Sequence, residues 1–238
     1  MTSILKIFNV TKCLNNFLVI NNVNFSLKKG EILGITGNNE SGKTILARII
    51  SGFIIQDKGD IFFQKKIINS FLPFKRVKLG IIHIFQNKNL FNDLSVLDNV
   101  TISILFGSND NINLIYSRQK AFEYLKFVGL QKFFNSKINT LTRLNKQKLK
   151  LAKAFGAKPK IILLDEIMSG LNKIEVLKLA KIIEKIRNLD ISILFIDKNF
   201  SAIKILVDRL LVLYRGNKIA DDFPKKILSD KILLNKLS

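Results

Sequence analysis

With 238 residues, 47% of them hydrophobic and 24% charged, the chain is too apolar to be disordered and large enough for one globular domain, at most with a subdomain. A formal net charge of +21 would suit a nucleic-acid partner, yet the lysines run the whole length amid abundant Ile and Asn. The basic clusters at 75–78 and 146–150 also lack interleaved aromatics, so no nucleic-acid partner is expected. No apolar run approaches the roughly 18 residues of a membrane span, no signal peptide is expected at the start, and the lone Cys13, read as structural, allows no intrachain disulfide, which fits a reducing cytoplasm.

Two β-rich stretches, 4–8 and 23–27, open the chain, and Lys28-Lys29-Gly30 is read as a turn into an apolar strand at 31–36. A glycine-rich loop leads into a helix at 44–50 that Gly52 closes. Strands follow at 60–63 and 81–85, then helices at 96–105, 118–128 and 146–155. Strand signals return at 161–164, 191–196 and 209–214, around a helix at 173–188 whose predicted apolar face is Ile174, Leu177, Ala180, Ile183 and Ile186. Uniformly apolar strands alternating with amphipathic helices indicate an α/β fold with a mostly parallel sheet covered on both faces, interrupted by a helical insertion.

The strongest motif is Gly37-Asn38-Asn39-Glu40-Ser41-Gly42-Lys43-Thr44, which matches the whole phosphate-loop pattern between a strand and a helix. Its backbone N–H groups would cradle phosphates, helped by the positive end of the following helix. Lys43 is expected to reach the β- and γ-phosphates of ATP and Thr44 to ligate Mg²⁺. The apolar strand at 161–164 ends in Asp165-Glu166. At the carboxyl edge of a parallel sheet Asp165 can hold Mg²⁺ through water, and Glu166 can orient or deprotonate an attacking water.

With these residues in place the sequence resembles the ABC ATPase family over essentially its whole length. The resemblance implies a P-loop NTPase core of RecA-like type, an N-terminal antiparallel β part and an inserted helical subdomain, with a core lobe at about 1–88 and 160–238 and the subdomain at about 89–159. It implies that Gln86 senses the metal and contacts the membrane subunit, and that Ser169-Gly170-Leu171-Asn172 is the loop following the acidic pair. Either Phe17 or Leu14 takes the adenine-stacking place. Within the family, the words at 70–73, 90–99 and 195–200 are similar to lipopolysaccharide-export ATPases, and branched-chain amino-acid importer ATPases share several of them.

Two departures stand out. The family signature, Leu-Ser-Gly-Gly followed by Gln or Glu, reads Leu141-Thr142-Arg143-Leu144-Asn145 here. Thr142 keeps a hydroxyl for the γ-phosphate across a dimer interface and Arg143 can offer a guanidinium, but Leu144 adds bulk where glycine allows close backbone approach. The switch histidine is replaced by Lys198. The only histidine, His83, lies in a strand before Gln86 and is read as structural. The resemblance thus implies an ATPase that acts as a homodimer with integral membrane transporter subunits, peripheral on the cytoplasmic face of the inner membrane. Its turnover is expected to be slowed by the altered signature and switch.

Overall fold

The computed structural model of the chain describes residues 2–86, 90–107 and 113–237. It contains two sheets. Strands β1 (Ser3–Leu14) and β2 (Phe17–Lys28) form a hairpin closed by Asn15 and Asn16, both at positive φ (47° and 65°), the backbone a type I′ turn requires. Both strands run well beyond the predicted stretches at 4–8 and 23–27. Asparagine weakens a strand pattern, but here Asn9 and Asn22 (φ 50° and 47°) take left-handed backbone where the pairing register shifts, so the strands bend and continue.

The chain then leaves this sheet for β3 (Ile32–Thr36) and α1 (Lys43–Ile50), and returns with β4 (Lys58–Phe63), which pairs with the other side of β1. The short β5 (Lys66–Ile67) gives the antiparallel order β2-β1-β4-β5. Helix α2 (Pro73–Leu79), not anticipated, leads to β6 (Ile81–Ile84). Helices α3 (Val96–Gly107), α4 (Leu114–Phe127) and α5 (Arg143–Gly156) pack as one layer before the chain re-enters the second sheet at β7 (Ile161–Asp165). The predicted starts of α4 and α5 fall several residues late, because the capping residues Asn113 and Thr142 lie upstream of the apolar stripe used to place them. The boundary expected at 88–89 lies outside the described residues.

Helix α6 (Lys173–Arg187), β8 (Ser192–Ile196), α7 (Phe200–Leu206), β9 (Arg209–Tyr214) and β10 (Asn217–Asp222) complete the second sheet in the order β10-β9-β3-β8-β7-β6. All its pairs are parallel except β10 with β9. Two short helices, α8 (Pro224–Ile227) and α9 (Lys231–Leu237), follow. Helix α6 opens with a reciprocal capping box between Asn172 and Glu175. Its buried face is Val176, Leu179, Ala180, Ile182, Ile183 and Ile186. The predicted Ile174 and Leu177 are exposed, because a stripe drawn at every third residue drifts off the 3.6-residue period.

The apolar runs of the parallel strands are explained by two cores. On β7, Ile161 and Leu163 face the antiparallel sheet and α1, while Ile162 and Leu164 face the helices on the other side. Helix α1 is sandwiched between the sheets by Leu46, Ile49 and Ile50, each worth about 1.5–3 kcal/mol of burial. Its far end is closed by Arg76, fully buried, whose guanidinium donates to the carbonyls of Ile49 (2.6 Å), Ile50 (2.8 Å), Ile68 (2.9 Å), Asn69 (3.2 Å) and Phe71 (2.9 Å). Burial lowers its pKa to about 10. Among the described residues no helix is long and apolar enough to cross a membrane.

Candidate active site

The loop between β3 and α1 takes its shape from close approaches that only glycine permits. A Cβ on Gly42 (φ 97°) would lie 2.6 Å from the Val19 carbonyl oxygen, and one on Gly37 would lie 2.2 Å from that of Leu213. Ser41 is buried and Glu40 also adopts left-handed backbone (φ 64°). Lys43 bends back over the loop, donating from Nζ to the carbonyls of Gly37 (2.8 Å) and Asn38 (2.6 Å) and to Ser41 Oγ (2.9 Å). Burial, and after it the charge of Lys198, lowers the Lys43 pKa to about 8 against the opposing pull of Glu166 and Asp165. Helix α1 carries no acidic residue in its first turn, which leaves its N-terminal N–H groups suited to an anion.

Across the sheet edge, Asp165 ends β7 fully buried, and its Oδ1 has no hydrogen-bond partner. Glu166 follows at φ 50°, a conformation costing roughly 1–2 kcal/mol in a non-glycine residue, with its N–H donating to Ile196 O at 2.8 Å. Both its oxygens are engaged. Gln86 Nε2 donates to Oε2 at 2.6 Å, and Lys198 Nζ stands 3.5 Å from Oε1 while also donating to Asn39 of the loop. Lys198 is oriented by Asp197, which accepts the N–H groups of Met168 (3.2 Å), Lys198 (2.8 Å) and Asn199 (3.0 Å). Burial raises the Asp197 pKa even though those bonds favour its charged form.

Gln86, Glu166, Lys198 and the loop thus meet at one place. Among the described residues no cluster of His, Cys, Asp and Glu could hold a metal by itself. A cation here would take most of its ligands from phosphate and water, as magnesium does. Thr44, Gln86 and Asp165, with its unpartnered oxygen, fit that sharing.

The altered signature opens α5. Thr142 caps α5, accepting from the Asn145 N–H at 3.3 Å. The Arg143 guanidinium lies across Gly170 of the loop after Glu166, so close that a Cβ there would come within 2.2 Å of it. Leu144 departs from expectation: it is 8% exposed and packs inside the helical layer, so its bulk is turned away from the surface that would meet a phosphate. Phe17, at the start of β2, is 76% exposed.

Sequence reasoning missed two residues. Lys150, read as part of a solvated basic cluster, is buried and donates from Nζ to the carbonyls of Phe85 (3.1 Å) and Gln86 (2.8 Å), tying α5 to the segment that carries Gln86. Burial lowers its pKa, with Arg143 contributing. His83, read as structural, stands 3.8 Å from Asp165. Nearby, a mostly apolar groove of about 430 Å³ runs between β6, α3 and α5, lined among others by Phe53, Phe85, Phe91, Phe106 and Ala154.

A family model described as ABC transporter matches residues 20–169. The lipopolysaccharide export system ATP-binding protein LptB of Escherichia coli K12 is 27% identical, over 94% of this chain and 92% of its own. A probable branched-chain amino acid transport ATP-binding protein, LivG of Methanocaldococcus jannaschii, is 26% identical, over 95% and 94%. The solved structure of an ABC transporter ATP-binding cassette in its ADP conformation superposes with a TM-score of 0.90 at 25% identity, covering 99% of this chain and 98% of that one. The matched segment holds the phosphate loop, Gln86, the signature and Glu166 and spans well over half of the chain, which therefore belongs to the ABC transporter family, as an ATP-binding subunit with ATPase activity coupled to transport.

Proposed function

We propose that the chain hydrolyses ATP as half of a homodimer, using the residues gathered around its phosphate loop, and drives an integral membrane partner of lipopolysaccharide export. The observation that carries the catalytic part is the convergence of Gln86 and Lys198 on the two oxygens of Glu166 beside the loop. The loop amides and Lys43 bind the phosphates, with Lys43 exchanging its carbonyl contacts for phosphate oxygens. Magnesium, held by Thr44, Gln86 and Asp165, would offset the phosphate charge. Glu166 takes a proton from the attacking water, and Lys198 passes from Glu166 and Asn39 to the γ-phosphate.

Dimerisation is supported by the placement of Thr142 and Arg143, exposed at the start of α5. A second copy brings them to the γ-phosphate. The apolar groove beside Gln86 seats a helix of the membrane subunit, and Lys150 relays its movement to Gln86. In this reading the chain works on the cytoplasmic face of the inner membrane. Lipopolysaccharide as cargo is supported by the words at 90–99 and by the similarity to LptB.

The test is steady-state phosphate release by the purified chain with and without copurified membrane proteins, whose identity is then read by mass spectrometry. No release in either state leaves a nucleotide-binding module. Recovery of amino-acid permease subunits overturns the cargo.

A further inference from the structure

His83 is the only histidine of the chain and has no role in the reaction as set out above. Its imidazole is buried among chemistry-bearing groups. Nδ1 lies 2.9 Å from Ser51 Oγ, and Ser51 donates in turn to the Ala47 carbonyl (2.8 Å) near the end of α1. The opposite nitrogen, Nε2, is 3.8 Å from Asp165 Oδ2 and has no hydrogen-bond partner, and Asp165 Oδ1 has none either. The ring packs against Phe85, one residue before Gln86, at 3.8 Å between centroids with the planes tilted by 33°, and it also lines the apolar groove.

Ser51, Phe85 and Asp165 thus face the imidazole from three directions, and buried polar atoms without partners are costly.

We propose that His83 is a positioning residue for Asp165: anchored through Ser51 to the phosphate-loop helix, it sets the carboxylate's orientation toward the magnesium side of the nucleotide. The proposal rests on the magnesium role given to Asp165 above, and the two are separable. A purely structural histidine would support the fold without affecting how magnesium is used.

The experiment measures ADP affinity by calorimetry in EDTA and across a magnesium titration, for wild type, His83→Phe, His83→Gln and Asp165→Asn. His83→Phe keeps the ring volume and is expected to leave affinity in EDTA unchanged while raising the magnesium needed for half-maximal tightening at least about fivefold. His83→Gln, which restores a polar end, is expected to recover part of that loss. A magnesium dependence changed by Asp165→Asn but not by His83→Phe overturns the positioning role alone. If Asp165→Asn changes nothing, the magnesium role of Asp165 falls and the proposal with it.

A second readout needs no variant. With a single histidine, the imidazole ¹⁵N signals are unambiguous, and they are expected to shift when magnesium is added to the ADP complex. Should His83→Phe not fold, signals that stay in place on magnesium addition overturn the proposal.

Discussion

Gln86 donates to Glu166 Oε2 at 2.6 Å while its own carbonyl oxygen accepts Lys150 Nζ at 2.8 Å. One residue therefore connects the carboxylate proposed to handle water to the helix headed by the signature, and a displacement of α5 reaches Glu166 through two hydrogen bonds. Glu166→Gln preserves the shape of this contact and removes the base. Phosphate release is expected to fall about a hundredfold or more, while calorimetric ATP affinity is kept and an ATP-bound dimer accumulates on size exclusion. Wild-type turnover in this variant would remove Glu166 from the chemistry.

Lys43→Ala would eliminate the charge-assisted contact to two phosphates proposed for this residue. Calorimetry is expected to show ATP binding weakened at least about tenfold, the equivalent of some 1.4 kcal/mol or more. Unchanged affinity would mean that the loop does not hold phosphate.

The two departures from the family pattern separate once the fold is known. Leu144 is a core residue, so Leu144→Gly opens a cavity and weakens α5, together costing about 3–6 kcal/mol. Urea unfolding is expected to show that loss, and no gain in turnover follows. Lys198→His alone restores a flat donor beside Glu166 and is expected to raise kcat by about tenfold with little change in KM, less than the hundredfold or more of a full oxyanion donor because the lysine already supplies charge. Equal turnover in the two proteins would show that the lysine serves as well as the imidazole.

Arg76→Leu leaves five carbonyls without their buried donor at the end of α1. The expected loss is about 3 kcal/mol or more, read as a melting temperature lower by roughly 6–12 °C. A shift under about 2 °C would mean that the carbonyls find other partners.

Lys153 lines the groove with its ammonium over the Phe91 ring at 4.5 Å, and burial lowers its pKa to about 8. Below pH 8 both folded and unfolded chains hold the proton, and the fold bears the cost of the desolvated charge. Between pH 8 and 10.5 the unfolded chain holds more protons, so stability rises with pH until the cost is gone. Lys153→Met is therefore expected to melt higher than wild type at pH 7, by a margin that shrinks between pH 8 and 10.5. A margin independent of pH would rule out a desolvation penalty at this site.

What was legible in the sequence is what depends on neighbouring residues. The phosphate loop and the Asp165-Glu166 pair are short, contiguous and set between a strand and a helix, so position and chemistry could be read together. Lys150, Arg76 and His83 bond to backbone or side chains that are remote in sequence, and nothing around them distinguishes a buried polar side chain from a solvated one. Leu144 was misjudged for the complementary reason: its place in a motif was visible, its direction was not. The bent strands β1 and β2 were cut short because asparagine counts against a strand unless left-handed bulges can be foreseen.

The return of β4 to the N-terminal sheet has a consequence for how the protein reaches its native state. Leu5 pairs with Phe63, and the phosphate loop and α1 lie between them along the chain. Ile81 pairs with Ile161 across the whole helical layer. Closing loops of this length costs chain entropy before any contact offsets it, and such non-local pairing slows folding. The two sheets are also laced by one thread, since β3, the phosphate loop and α1 lie in sequence between β2 and β4, the two neighbours of β1. The lobe is expected to appear on the ribosome late, as one cooperative event, after β9 has emerged.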